Sequence, residues 1–219
     1  MERRIMDAFS AIIRFSAAAA LLTVTPGLDT ALVVRTGTVE GPRQAVLAGA
    51  GISAGVLSWG MITALGLGAL LAASEYAYRV VQMVGAFYLA WLGVTMMRRV
   101  FAGGGSPIVF PAGQGRLVAK PNWFLRGMMT NLLNPKVGVF YVSFLPQFLP
   151  PELPAVSFGA LLSGIHAFMG LVFFSAVAVG TVPLQRLLTH PATSRVLDGI
   201  TGTVMIGFAA RLIMEKRSL

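Results

Sequence analysis

Asp29 and Lys136 carry opposite charges inside apolar sequence, and each directly follows a proline break. The first break reads Thr25-Pro26-Gly27-Leu28-Asp29 and the second Asn134-Pro135-Lys136. A buried carboxylate can accept a proton or hold a cationic ammonium, and a buried ammonium can hold a carboxylate. Each charge also has a plainer reading. Asp29 would cap the helix that restarts after Gly27, and Lys136 would snorkel to the interface along its four-carbon stem. Asn134 either caps a half-helix or faces a ligand, with Pro135 preorganised at the first helical position. Helix N-termini present free N–H groups and a positive dipole end, so two of them meeting near a midplane would make a small zwitterion site. Thr23, Thr25, Thr30, Asn131, Tyr141 and Gln147 lie near the breaks and would line a path between them. His166 reads as a hydrogen-bonded packing residue before a proton relay.

Proline removes a backbone donor and clashes with the preceding turn. Lipid cannot repair that loss, so such breaks survive only within protein or beside a water-filled cavity. The surroundings are membrane-like: 56% of the 219 residues are hydrophobic and 11% are charged, with a mean hydropathy of +0.76. Apolar stretches long enough to span, about 20 residues, fall at 8–34, 44–72, 77–97, 124–148, 156–180 and 197–214. The first is interrupted at Pro26-Gly27 and the fourth at Asn134-Pro135, and the last is the shortest. The connector 98–123 holds Arg98, Arg99, Arg116, Lys120, three consecutive glycines and three prolines, and reads as a solvated loop. The connector 181–196 mixes leucines with Arg186 and would lie along the interface. The long basic loop favours the cytoplasm, which puts both termini outside.

The halves repeat weakly. Pro26 and Pro135 are 109 residues apart, and the same offset carries Gly55 to Gly164 and Trp59 to Phe168. Gly85 and Gly93 are eight apart, as are Gly199 and Gly207. Three helices per half is an odd number, so the second half enters from the opposite side. The expected fold is an all-α polytopic membrane protein: six transmembrane helices in two inverted three-helix repeats, with helices 1 and 4 proline-broken. The first repeat covers 1–97 and the second 124–219, within one domain of 1–219. Glycines at small-xxx-small spacing, Gly51/Gly55 and Gly164, would let helices approach closely. Such faces would also permit a homo-oligomer.

Composition excludes several classes. There are no cysteines, so disulfide, thiol-redox and Cys-metal chemistry are out. No Gly-rich P-loop with Lys and Ser/Thr is present, and the two histidines form no metal pattern. Asp29 is the one acid firmly inside an expected span, too few for a hard-cation cage. No cofactor is implied. The net charge of +9 is what cytoplasmic loops and helix ends supply in membrane proteins, so nucleic acid is not an expected partner.

At these residues the chain resembles the LysE/RhtB family of amino-acid exporters. The family's first-helix motif, Pro-Gly-Pro followed by Asp or Asn, stands here as Pro26-Gly27-Leu28-Asp29. Its Asn-Pro-Lys stands as Asn134-Pro135-Lys136, followed by Phe140 and Pro146-Gln147-Phe148. Gly85, Tyr88-Leu89, Trp91-Leu92-Gly93 and Arg98 look like its third helix. Leu28 departs from the family's second proline and should leave the break less rigid. The resemblance implies a secondary transporter, not an enzyme. It would export amino acids or small derivatives across the cytoplasmic membrane, driven by the proton gradient. Family members handle basic, neutral and hydroxy amino acids, so the substrate stays open. Expected partners are that substrate, protons and the bilayer. A cation exporter of related architecture would need a cluster of buried acids. A non-transporting assembly protein would show no cavity at the breaks.

Overall fold

The computed structural model describes residues 2–73, 75–102, 121–150, 153–180 and 190–214. Among them the chain is helical without strands. Helix α1 (Glu2–Val24) is followed after the first break by α2 (Leu28–Val39), then α3 (Pro42–Ala73) and α4 (Glu75–Phe101). Helix α5 (Trp123–Leu132) is followed after the second break by α6 (Pro135–Phe144) and a 3-10 turn at Leu145–Phe148. Helices α7 (Ala155–Val179) and α8 (Pro191–Met214) complete the order. Most of the connector 98–123, and residues 181–189 of the other, lie outside the described residues.

Local chemistry sets the boundaries. Helix α2 closes on Gly41, whose φ of +99° is open to glycine at little steric cost, and Pro42 then starts α3. The Gly41 and Glu40 amides both donate to the Thr36 carbonyl, at 3.1 and 2.8 Å, which satisfies the end of α2. Asn122 caps α5, its side-chain oxygen accepting from the Leu125 amide at 3.0 Å. The last apolar stretch proves longer than its sequence suggested: α8 runs for 24 residues from Pro191, a proline in its favoured starting position.

Helix α3 packs most extensively on α7 and α5, and α4 on α8. Glycine makes these contacts close. A Cβ on Gly51 would collide with the Phe124 carbonyl, and one on Gly127 with the Ala48 carbonyl, so α3 and α5 meet backbone to backbone. A Cβ on Gly93 would lie 2.7 Å from the Gly202 carbonyl, and one on Gly202 2.9 Å from the Gly93 carbonyl, so α4 and α8 also meet at their backbones. Gly51, Gly55 and Gly93 are therefore used within the chain, and those faces are not open to a second copy. Gly164 departs from expectation, because a Cβ there would meet nothing within 4 Å.

One buried aromatic cluster joins α1 to α6 and the 3-10 turn. Phe15 lies 5.8 Å from both Phe140 and Phe148, and Phe140 stacks on Phe144 at 4.7 Å. Such pairs add about 0.5–1.5 kcal/mol each beyond area burial. Three of the described helices are long and apolar enough to cross a membrane: α1 over Asp7–Val24, α3 over Pro42–Gly66, and α7 over Ala155–Val179. Helices α5 and α6 have 10 residues each. Each is about 15 Å long, so neither alone reaches across the roughly 30 Å of a bilayer core.

Candidate functional site

The first break is short. The Thr25 amide makes the last bond of α1, to the Leu21 carbonyl at 3.1 Å, and the Ala31 amide makes the first of α2, to the Gly27 carbonyl at 2.9 Å. Gly27 is extended and offers no side chain to cap α2. Asp29 lies in the first turn of α2, where the positive dipole end favours an anion. Its carboxylate turns away from its own helix: Oδ2 accepts from the Asn131 Nδ2 amide at 2.8 Å, and Oδ1 is buried without a protein donor. The capping role considered from sequence is thus not what the side chain does.

The second break is capped. Asn134 Oδ1 accepts from the Lys136 amide at 3.1 Å with Pro135 at the first helical position, and the Val137 and Gly138 amides donate to the Asn134 carbonyl. Lys136 does not snorkel. Its Nζ points to the carbonyl end of α1, 3.5 Å from the Leu22 oxygen and 3.4 Å from the Thr25 oxygen. These distances are long for hydrogen bonds, so the contact is chiefly a cation at a helix C-terminus, about 0.3–2 kcal/mol.

The two breaks meet at one cavity of about 30 Å³. Thr25, Gly27, Asp29, Thr30, Asn131, Asn134 and Lys136 all border it. It has room for about two waters and is too small for an amino acid. Asn131 is held in place by α3: the Trp59 indole donates to its carbonyl at 3.4 Å, and the missing side chain of Gly55 makes the space its own side chain fills.

Other sequence candidates stand apart. Pro26 and Pro135 shape the breaks without bordering this cavity, and Pro135 faces a separate apolar groove beside Trp59. Gln147 does not reach it, because the 3-10 turn directs its amide back to the Ser143 carbonyl at 3.0 Å. Tyr141 is one bond removed. Its hydroxyl lies 3.0 Å from His166 Nδ1, and His166 Nε2 lies 3.1 Å from the Thr23 hydroxyl, which donates to the Ala19 carbonyl at 2.8 Å. Thr23 has spent its one proton, so Nε2 is the donor to it and Nδ1 the acceptor from Tyr141. The chain ties α6, α7 and α1 together, with His166 and Thr23 at the cavity wall.

One acid was missed. Asp198 is 2% exposed in α8, so Asp29, itself half-buried, is not the only acid inside the described helices. An apolar stretch starting at 197 left Asp198 at a helix edge. Reading Pro191 as the helix start would have placed it two turns inside.

Among the described residues the fold is helical, and two of its helical segments are broken beside the half-buried charges of Asp29 and Lys136. Comparison defines the class: residues 20–216 match the family model described as LysE type translocator, and the chain belongs to that family. Its members are transporters, not enzymes. The chain is similar to the leucine efflux protein of Klebsiella pneumoniae, 28% identical over 89% of this chain and 90% of that one. The threonine efflux protein of Escherichia coli is 26% identical over 88% of this chain and 92% of its own. The homoserine/homoserine lactone efflux protein of Salmonella typhimurium is 27% identical over 90% and 93%. No solved structure matches the chain.

Proposed function

We propose that this chain exports a small neutral amino acid, or a close derivative, from the cytoplasm across the cell membrane. The carrying observation is the meeting of Asp29 and Lys136 at one buried cavity where both helix breaks converge. Asp29 suits a coupling proton on Oδ1, which lacks a protein donor, or a substrate ammonium in place of Asn131 at Oδ2. Lys136 suits the substrate carboxylate. Related proteins named for leucine, threonine and homoserine efflux favour neutral substrates. The cavity must widen to admit any of them, as alternating access requires.

The same reading includes six spans in two inverted repeats, 1–97 and 124–219, joined by the cytoplasmic connector 98–123 with both termini outside. The packing supports it, since corresponding helices pair with each other: α3 with α7, and α4 with α8. Cation export is less well supported, because no group of three metal-ligating side chains occurs among the described residues. The test is efflux from preloaded cells across an amino-acid panel, with and without a proton uncoupler. Loss of flux with uncoupler supports proton drive, and no flux for any amino acid would overturn the exporter reading.

A further inference from the structure

The groove that Pro135 borders has no part in the reading above. Its space is about 570 Å³, within the range of about 300–1,000 Å³ that ligand pockets occupy. It runs along α6 from the break at Asn134 to Ser143, between Trp59 of α3 and Val84 and Tyr88 of α4. Its walls are mostly apolar, and its end at the break is polar. Three observations join it to the charged cavity. Asn134 borders both spaces. Pro135 borders the groove and Lys136, the next residue, borders the cavity. Trp59, on the groove wall, packs against Gly138, where a Cβ would lie 2.7 Å from the ring. Its indole donates to the carbonyl of Asn131, the residue that holds Asp29. The cavity of about 30 Å³ has no room for a side chain, and the groove beside it does.

We infer that this groove receives the side chain of the transported amino acid while Asp29 and Lys136 hold its charged ends, so that the chain selects apolar side chains of about leucine size. This rests on the reading of Asp29 and Lys136 as the two ends of a substrate site. An amino acid matches the polarity of the groove, with a charged head at the break and an apolar body along α6. A bilayer acyl chain has no polar group to set against Asn134. Each CH2 buried in the groove is worth about fourfold in affinity. A threonine hydroxyl left unpaired there subtracts from it. Leucine is therefore held more tightly than alanine or threonine.

The test is counterflow in proteoliposomes with alanine, threonine, valine and leucine, for the wild type, Val84→Trp and Val142→Trp, with melting temperature as the check on folding. Val84 and Val142 line the groove and not the cavity, so either tryptophan fills the groove and leaves the charges in place. We expect wild-type KM to fall about tenfold or more from alanine to leucine. In each folded variant the leucine KM should rise about tenfold while the alanine KM stays within about twofold. Equal KM for alanine and leucine in the wild type would overturn the inference, and this comparison needs no variant to fold. A filled groove that leaves their ratio unchanged would overturn it too, as expected if the groove holds only a bilayer acyl chain. Flux without a preference for side-chain size would leave the exporter reading standing, whereas no flux for any amino acid would sink both.

Discussion

Replacing Asp29 by asparagine separates its role in the fold from its role in binding. The amide has nearly the same shape and can still accept from Asn131 Nδ2, now 2.8 Å from Oδ2. What the fold loses is the difference between a charge-assisted and a neutral hydrogen bond, about 1 kcal/mol. Relief from burying a charge offsets part of that, so net stability should move by less than about 1 kcal/mol. Binding loses far more. An ammonium seated about 4 Å from the carboxylate gains about 4 kcal/mol at an effective dielectric of 20. Desolvation takes back part of this, and a remainder of about 3 kcal/mol is roughly a hundredfold in affinity. Counterflow in proteoliposomes should therefore show KM raised by about that factor, or flux lost, with melting temperature nearly constant. Wild-type KM and rate in Asp29→Asn would refute the reasoning. A large fall in melting temperature with unchanged KM would place Asp29 in the scaffold instead.

Lys136→Met should abolish export of carboxylate-bearing substrates and cost about 1–2 kcal/mol of stability, because the carbonyl end of α1 loses its cation; efflux and thermal melting read the two effects separately. Gly51→Val should lower melting temperature by the equivalent of about 1–3 kcal/mol or prevent folding, since any Cβ there meets the Phe124 carbonyl. Gly164→Ala, with open space around it, should be neutral or stabilising by up to about 1 kcal/mol in the same assay. Tyr141→Phe keeps the ring and leaves His166 Nδ1 without its donor, so it should cost about 1–3 kcal/mol in thermal melting. Leu28→Pro should be tolerated: residue 28 is the first of α2, where proline's fixed φ is preorganised, and melting should change by under about 1 kcal/mol.

Much of this was legible in the sequence because it rests on local chemistry. Proline and glycine mark both breaks, and Asn134 with Pro135 forms the cap its residue types predict. Asp29 and Lys136 stood out as charges in apolar sequence. The partners those charges choose were not legible, because they lie across the fold: Asn131 for Asp29, and the Leu22 and Thr25 carbonyls for Lys136. Asp198 was lost to a boundary error, since hydropathy fades near a polar helix start while the helix continues. The glycine pattern divided because its partners, too, lie across the fold. Gly51 touches backbone and Gly164 touches nothing, a difference set by which face the neighbouring helix covers.

Each break is stitched by the other half of the chain. Asp29, just after the first break, is held by Asn131, just before the second; the end of α1 is held by Lys136, just after the second. Neither break can move far alone. Parting them forfeits a hydrogen bond to a charged group, about 1.5–3 kcal/mol, and a cation at a helix end, about 0.3–2 kcal/mol. On the exporter reading, an amino acid replaces both contacts: its ammonium takes the place of Asn131 at Asp29, and its carboxylate takes the place of the α1 carbonyls at Lys136. The substrate then offsets the cost of opening, and an empty cavity stays shut at about 30 Å³. A carrier built this way moves when loaded and resists leak when empty, because the contacts that close the site are the ones the substrate displaces.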